Sequence, residues 1–378
     1  MISQIEQTVF RLNNLDKMQE KINFQMGGKQ IANGSDDSVL FGRIVSAEEK
    51  VRTYEGIKTQ IERTDIQNRA ADASVNDIKK ILESIKSELM KANTDTTSDA
   101  GLKAIAVNLA GMKENLFTLA NTQVEGEYVF AGSDSSVKPF EKQADGSVAY
   151  VGNNKLRSVA VEEGSYRERG INGFDMMMFS SSVAHKGETL TFNEKDRILD
   201  EDGNEWKLNS PTNDTLTQYN VDGKATGIAI SPVAHDSVTN NYSVQTPPDD
   251  GTKFEAKTNI FDLLNSVVKS LNMLDNAGNP ISREDATAQI SKNVDLIDNA
   301  FDGVNIAHAE LGSKNKIFEN SLDSVESKLT QFKMLETALS SSNLTEVAIK
   351  AKSLELTYAA LYSTVMRTNE LSLINFMK

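Results

Sequence analysis

Apolar residues recur at alternating intervals of four and three near both ends of the chain. Ala71, Val75, Ile78, Leu82, Ile85 and Leu89 keep that step without a miss. After a polar stretch at 94–99, Leu102, Ile105, Leu109, Met112, Leu116 and Leu119 resume it. Toward the C-terminus the same stepping runs through Leu322, Val325, Leu329 and Phe332, then through Leu344, Val347, Ala351, Leu354, Tyr358, Leu361 and Val365. Such spacing lines one helix face with side chains that only other helices can cover. The pattern predicts a long coiled-coil helical bundle built from both chain ends, with the termini near each other.

Helix-breaking residues confine the rest. All six prolines lie between 139 and 280, and 13 of the 22 glycines lie between Gly126 and Gly278. The outer arms are free to be long helices, and the middle is not. In the middle, Asp145-Gly146, Asp202-Gly203 and Asp222-Gly223 separate strand-like runs such as Arg197-Ile198-Leu199 and Trp206-Lys207-Leu208, the signature of tight hairpins. The fold class is therefore mainly α with a β-rich insertion, residues 126 to about 257 reading as hairpins. Gly27-Gly28 ends a first helix that begins near Ser3. Ser282 to Asp285 reads as a further helix start, and Asn343 with Glu346 as the cap of the last helix.

The two extremities differ from the arms. Ile2, Ile5, Val9 and Leu12 form a short seam that lapses where Asp16 and Gln19 fall on it. Leu371, Leu373, Ile374 and Phe376 crowd the last eight residues. Apolar tips at termini suit either docking on the protein's own domain or ordering against neighbouring copies. Together with Leu354, Tyr358, Leu361 and Val365, these eight residues are the candidate assembly and chaperone interface.

Charge and chemistry narrow the function. Forty basic residues against 54 acids give a net charge of −14, so phosphate backbones and anionic lipid surfaces are disfavoured partners. With no cysteine, disulfides, thiolate metal sites and cysteine nucleophiles are excluded. No run of about 18 apolar residues exists to span a membrane, and the N-terminal residues lack the basic-then-apolar order of a cleaved signal peptide. His185, His235 and His308 are not at metal-ligand spacing from one another. Asp200 to Glu205 has the look of a calcium loop, yet Glu205 stands where the loop requires glycine, so a hairpin turn is the better reading. Gly34-Ser35-Asp36-Asp37 carries two acids that would repel phosphate and reads as a turn with a helix cap. No Walker, dinucleotide or nucleophile-elbow motif occurs. No catalytic residue, metal or cofactor is expected, and the protein is read as not an enzyme.

Several segments carry a family likeness. The stretch Gly27-Gly28-Lys29-Gln30-Ile31-Ala32-Asn33-Gly34-Ser35-Asp36-Asp37, followed by a helix from about Ser38, resembles the N-terminal motif of flagellins and flagellar hook-associated proteins. Gly126-Glu127-Tyr128-Val129-Phe130-Ala131-Gly132, Pro139-Phe140, Tyr150-Val151-Gly152 and Asn172-Gly173-Phe174 are similar to the β region of the hook–filament junction family. Leu371-Ser372-Leu373-Ile374-Asn375-Phe376 resembles that family's terminus. The resemblance implies a structural part of the bacterial flagellum that joins hook to filament by helical self-assembly. The implied partners are further copies of itself, the first hook-associated protein, flagellin and a cytoplasmic export chaperone. Implied too are export by the flagellar type III pathway and an extracellular location. It divides the protein into terminal coiled-coil segments (1–42 and 343–378), a helical rod with a β-hairpin (43–174 and 258–342) and an outer β-rich insertion (175–257). A filament-forming flagellin shares the arms, and a generic coiled-coil adaptor would share the heptads alone.

Overall fold

The computed structural model describes residues 2–94, 97–144, 146–185, 187–209, 212–220, 223–236, 241–246 and 253–376; the side chains of 2–5 and 368–376 fall outside this description. Among the described residues seven helices are present: α1 (Ile2–Met26), α2 (Ser38–Ala92), α3 (Asp99–Ala120), α4 (Gly173–Met177), α5 (Ile260–Leu271), α6 (Arg283–Ser340) and α7 (Leu344–Phe376). The fold is mainly α with a β-rich insertion. Its described residues gather into two compact units, one of residues 1–59, 161–164 and 321–378, the other of 60–160 and 165–320.

Helix ends follow local chemistry. Asp37 Oδ1 accepts from the backbone N–H groups of Val39 and Leu40 (3.1 and 2.9 Å) and so caps α2. Ser98 Oγ accepts from Gly101 N to start α3, and Ser282 Oγ from Asp285 N to start α6. Asn343 Oδ1 accepts from Thr345 N and Glu346 N at the head of α7. Each cap satisfies amide groups that the first turn leaves without a partner.

In the second unit one core unites α2, α3, α5 and α6 with Met176 and Met177 of α4. Ala71, Val75, Ile78, Leu82, Ile85 and Leu89 are each at most 2 % exposed. They join Leu102, Ile105 and Leu109 of α3, Phe261 and Leu264 of α5, and Ile290, Ile297, Val304 and Leu311 of α6. Helix α5 is strongly two-faced: Asp262, Asn265, Ser266 and Lys269 share one side, and Ile260, Phe261, Leu263, Leu264, Val267 and Leu271 are buried on the other. The strands of the insertion keep a core of their own around Trp206, Phe254, Leu190, Phe192 and Ile198. They form a six-stranded sheet in the order Ala225–Ile230, Leu216–Tyr219, Glu205–Leu208, Arg197–Asp200, Lys253–Asn259, Met178–His185. A three-stranded sheet orders Val233–Asp236, Asn241–Gln245 and Thr189–Asn193. All described strand registers in both are antiparallel. Of the three Asp-Gly turns, only Asp202-Gly203 is described at both residues, with Gly203 at φ +78°; Asp145 and Asp222 lie outside the described residues.

In the first unit Ile44, Ala47, Val51, Tyr54 and Ile57 of α2 are buried, as are Val325 and Leu329 of α6. Tyr54 and Phe332 stack with ring centroids 5.4 Å apart. A hairpin of Ser158–Glu162 with Ser165–Glu168 contributes its turn to this unit, where Lys50 pairs with Glu163 and Lys328 with Glu162.

Candidate assembly interface

Helices α1 and α7 pair antiparallel. Ile22, Val347 and Leu354 are buried in a small cluster flanked by Leu15, Ala351 and Tyr358. The phenol of Tyr358 donates to Asp16 Oδ1 at 2.6 Å, and that hydrogen bond pushes the Tyr358 hydroxyl up to about 12. Asp16, read from the sequence as a lapse in the seam, is thus the acceptor that meets the one phenol on the facing seam. The apolar line does not stop at Leu12 either, because Leu15 and Ile22 continue it one register over.

A backbone staple closes the base of this pair. Lys29 and Ser341 form an isolated antiparallel bridge, Gln30 N donates to Ser340 O (2.7 Å), and Ser342 N donates to Gly28 O (3.1 Å). Gly28 sits at φ +90°, a conformation that L side chains resist. The loop beyond is drawn tight around Asp36, whose carboxylate accepts from Ala32 N and Asn33 N (3.0 and 3.4 Å) with Lys21 3.9 Å away. The Ala32 amide holds this carboxyl below its ordinary range, burial opposes it, and Asn33 N and Lys21 add to the lowering.

The candidate residues separate by environment. Leu354 is buried, Leu12, Tyr358, Leu361 and Val365 are half-buried, and Val9 is half exposed. Ile2, Ile5, Leu371, Leu373, Ile374 and Phe376 lie on helical backbone, with side chains outside the described residues. The sequence reading missed a second set. Phe10, Met18, Ile349, Leu356, Tyr362 and Met366 are each more than half exposed. Ile349 and Leu356 are seven residues apart and share a face of α7 away from Val347 and Leu354. Off-seam apolar residues on one helix were the available signal.

The segments of the likeness around Phe130, Phe140, Tyr150 and Gly173 meet in one knot of packing in the second unit. Phe130 is fully buried, and its carbonyl accepts from Gly173 N (2.7 Å) and from the Tyr150 hydroxyl (3.3 Å). The Phe140 ring lies 5.2 Å from Tyr150 and 5.5 Å from Phe261. Burial pushes the Tyr150 phenol above its ordinary range. Three glycines are required by close approach. A Cβ on Gly132 would meet Asn153 O and lie 2.5 Å from Asn153 Oδ1; on Gly152 it would lie 2.6 Å from the Tyr150 hydroxyl oxygen. On Gly173 it would lie 2.7 Å from both the Phe140 and Tyr150 rings. Glu127 of the same segment receives Gln67 (2.8 Å), Arg63 and Arg169 (3.3 Å each). Burial pushes its carboxyl up, and these donors outweigh it and hold the group low.

The polar candidates take structural positions. His308 Nε2 lies 3.0 Å from Asp72 Oδ1, and His235 stacks on Tyr242 at 4.6 Å. Asp200 collects Trp206 Nε1 and Asn204 N from its own hairpin and Gln218 Nε2 from the strand beyond, each at 2.9 Å. Among the described residues, no group of three or more histidines, cysteines or acids is placed to hold a metal ion. Among them too, no helix is long and apolar enough to cross a membrane.

Comparison with known proteins bears on these elements. The flagellar hook-associated protein 3 of Salmonella typhimurium is 25 % identical over 191 residues, 48 % of this chain and 56 % of that protein. Its Escherichia coli counterpart is 23 % identical over 126 residues, 31 % of this chain and 37 % of that protein. The crystal structure of flagellar hook-associated protein 3 from Legionella pneumophila superposes with a TM-score of 0.52 at 18 % identity, over 77 % of this chain and 97 % of that one. The chain resembles a flagellar hook–filament junction protein. The likeness extends to the fold, with long helices near both chain ends and an antiparallel β insertion. No family model matches the sequence. The chain spans about half the length of the Salmonella protein it matches, and less of the Escherichia coli one.

Proposed function

We propose that this protein is a structural component of the bacterial flagellum that joins the hook to the flagellin filament by helical self-assembly. The observation that carries the reading is the terminal helix pair. It buries Ile22, Val347 and Leu354 and leaves Phe10, Met18, Ile349, Leu356 and Met366 exposed. Fully burying one such side chain is worth about 1.5–3 kcal/mol, so a neighbouring copy that covered several of them would gain a stable interface. Head-to-tail contacts of this kind generate open helical arrays.

In this reading residues 1–42 and 343–378 pack against neighbouring copies, 43–174 and 258–342 form the rod, and 175–257 take little part in the subunit contacts. Val9, Leu12, Leu354, Tyr358, Leu361 and Val365, with Ile2, Ile5, Leu371, Leu373, Ile374 and Phe376, lie in the buried interface. A cytoplasmic chaperone covers the C-terminal part before export through the flagellar type III pathway. The first hook-associated protein and flagellin are the partners on either side. The role is structural and needs no cofactor.

Electron microscopy of cells lacking the protein tests this. Intact hooks without filaments, and flagellin lost to the medium, are expected; normal filaments would overturn the proposal. Ile349→Asp with Leu356→Asp refines it, since both side chains are already exposed in the monomer. The double variant is expected to fold normally and to fail to restore filaments in the deletion strain.

A further inference from the structure

Asparagine precedes glycine twice in the sequence, at Asn33-Gly34 and Asn172-Gly173, and the two pairs stand in opposite surroundings. In such a pair the glycine amide nitrogen attacks the asparagine Cγ carbonyl more readily than elsewhere, because no Cβ obstructs it. The attack needs an accessible asparagine whose departing Nδ2 is not held, an unengaged N–H on the next residue and stabilisation of the oxygen on which charge accumulates.

Asn172 fails the first two conditions and has a single donor for the third. It is 1 % exposed and caps α4, its Oδ1 accepting from Asp175 N at 2.8 Å. Its Nδ2 donates to Asn154 O (3.1 Å) and Asp175 Oδ2 (2.7 Å). Gly173 N is committed to Phe130 O at 2.7 Å. Asn33 is exposed, and among the described residues no hydrogen bond engages its Nδ2 or Gly34 N. Its Oδ1 instead accepts from Ser35 N (3.1 Å) and Ser35 Oγ (2.5 Å). Two donors aimed at one carbonyl oxygen form a small oxyanion hole for addition at that carbon.

We propose that Asn33 is a self-modifying site, converting to aspartate and isoaspartate in the folded protein. Gly34 N gives up its proton and bonds to Cγ of Asn33. The bond from Cγ to Nδ2 then breaks, and that nitrogen leaves as ammonia with the proton returned to it. The resulting five-membered imide is opened by one water at either carbonyl. Opening at one yields aspartate. Opening at the other routes the backbone through the former side chain, which is isoaspartate. Water is consumed, ammonia is released and nothing is oxidised or reduced. Either product sets a new carboxylate beside Asp36 and Asp37. The isoaspartyl product also lengthens the turn held by Asp36 N on Asn33 O (3.2 Å).

The test is incubation of the full-length folded protein at mildly alkaline pH, followed by peptide mass mapping, with an isoaspartyl methyltransferase as probe. Asn33 is expected to convert about tenfold or more faster than Asn172, whose reaction must wait for local opening. In denaturant the two rates should converge. Ser35→Ala should slow Asn33 in the folded protein and leave its rate in denaturant unchanged. Equal rates at the two sites in the folded protein would overturn the proposal. An unaltered folded rate in Ser35→Ala would overturn the role given to the Ser35 hydroxyl.

Discussion

The seam from Ala71 to Leu89 on α2 and the seam from Val347 to Val365 on α7 follow one rule of spacing, yet they end in different surroundings. On α2 none of the six residues exceeds 2 % exposure. On α7 Val347 and Leu354 are buried, while Ala351, Tyr358, Leu361 and Val365 are only half covered. The first seam faces side chains from α3, α5 and α6 in a common core. Among the described residues the second packs in a small cluster with α1, and a single partner helix covers a stripe rather than a face. Spacing thus specifies which side chains point one way, while the number of neighbouring helices decides how much water they lose.

The largest expected effect comes from breaking the better-covered seam. Leu82→Ala should destabilise the second unit by about 3 kcal/mol, through lost transfer energy and a cavity that a core packed from several helices cannot collapse. Leu354→Ala, beside already exposed neighbours, should cost about 1–2 kcal/mol and act on the terminal pair only. Hydrogen exchange resolved by peptide tests the contrast. Equal loss of protection in α2 and α7 for both variants would remove it.

Gly132→Ala sharpens the same comparison at the knot that helps roof the α2 seam. The added methyl would press on Asn153, and Gly132 lies at φ +87°, so the cost should be about 2 kcal/mol. Thermal unfolding of the helical signal reads it, and an unchanged midpoint would show that the knot yields freely.

The smallest effect separates two acids of the β insertion by the sign of their pH dependence. Burial pushes the Asp200 carboxyl up, but hydrogen bonds from Trp206, Gln218 and Asn204 outweigh it and hold the group below its ordinary 3.8. Its stabilisation is complete above 3.8 and is lost as the pH falls through the lower folded value. Burial raises the half-buried Asp196 above 3.8, with Asn193 N and the Thr258 hydroxyl opposing. Its ionisation therefore weakens the fold as the pH rises from 3.8 through the higher folded value. Trp206, the single tryptophan, lies in this core and reports unfolding by fluorescence. Asp200→Asn should flatten the acid limb below 3.8, and Asp196→Asn should flatten the limb above it. A flattening on the opposite side in either variant would contradict the assignment.

Much of the helical frame was legible because helices declare themselves twice, in the period of their apolar face and in their caps. Ser282 and Asn343 both act as the sequence suggests. Helix α4 was read as part of a hairpin region. Its five residues are too few to show a period, and Phe174, Met176 and Met177 are buried in tertiary contacts. Leu15 and Ile22 were missed because the seam shifts register at Asp16, where a hydroxyl on the facing helix makes a carboxylate acceptable. The exposed set on α7 escaped because attention to one stripe hides a second. The motif glycines were visible as letters, but the rings and carbonyls that exclude a side chain there come from distant positions.

The pairing of Tyr358 with Asp16 joins residues 342 positions apart, which sets an order of events during synthesis. Helix α1 leaves the ribosome long before its facing helix, which follows more than 300 residues later. Until α7 is made, Leu15 and Ile22 lack the helix they pack on. The helices of the second unit, whose seams α2 and α3 follow each other directly, start to find theirs far earlier. Closure of so long a loop is entropically slow. The N-terminal helix is therefore a binding site in waiting, open to whatever meets it before its own C-terminal helix emerges.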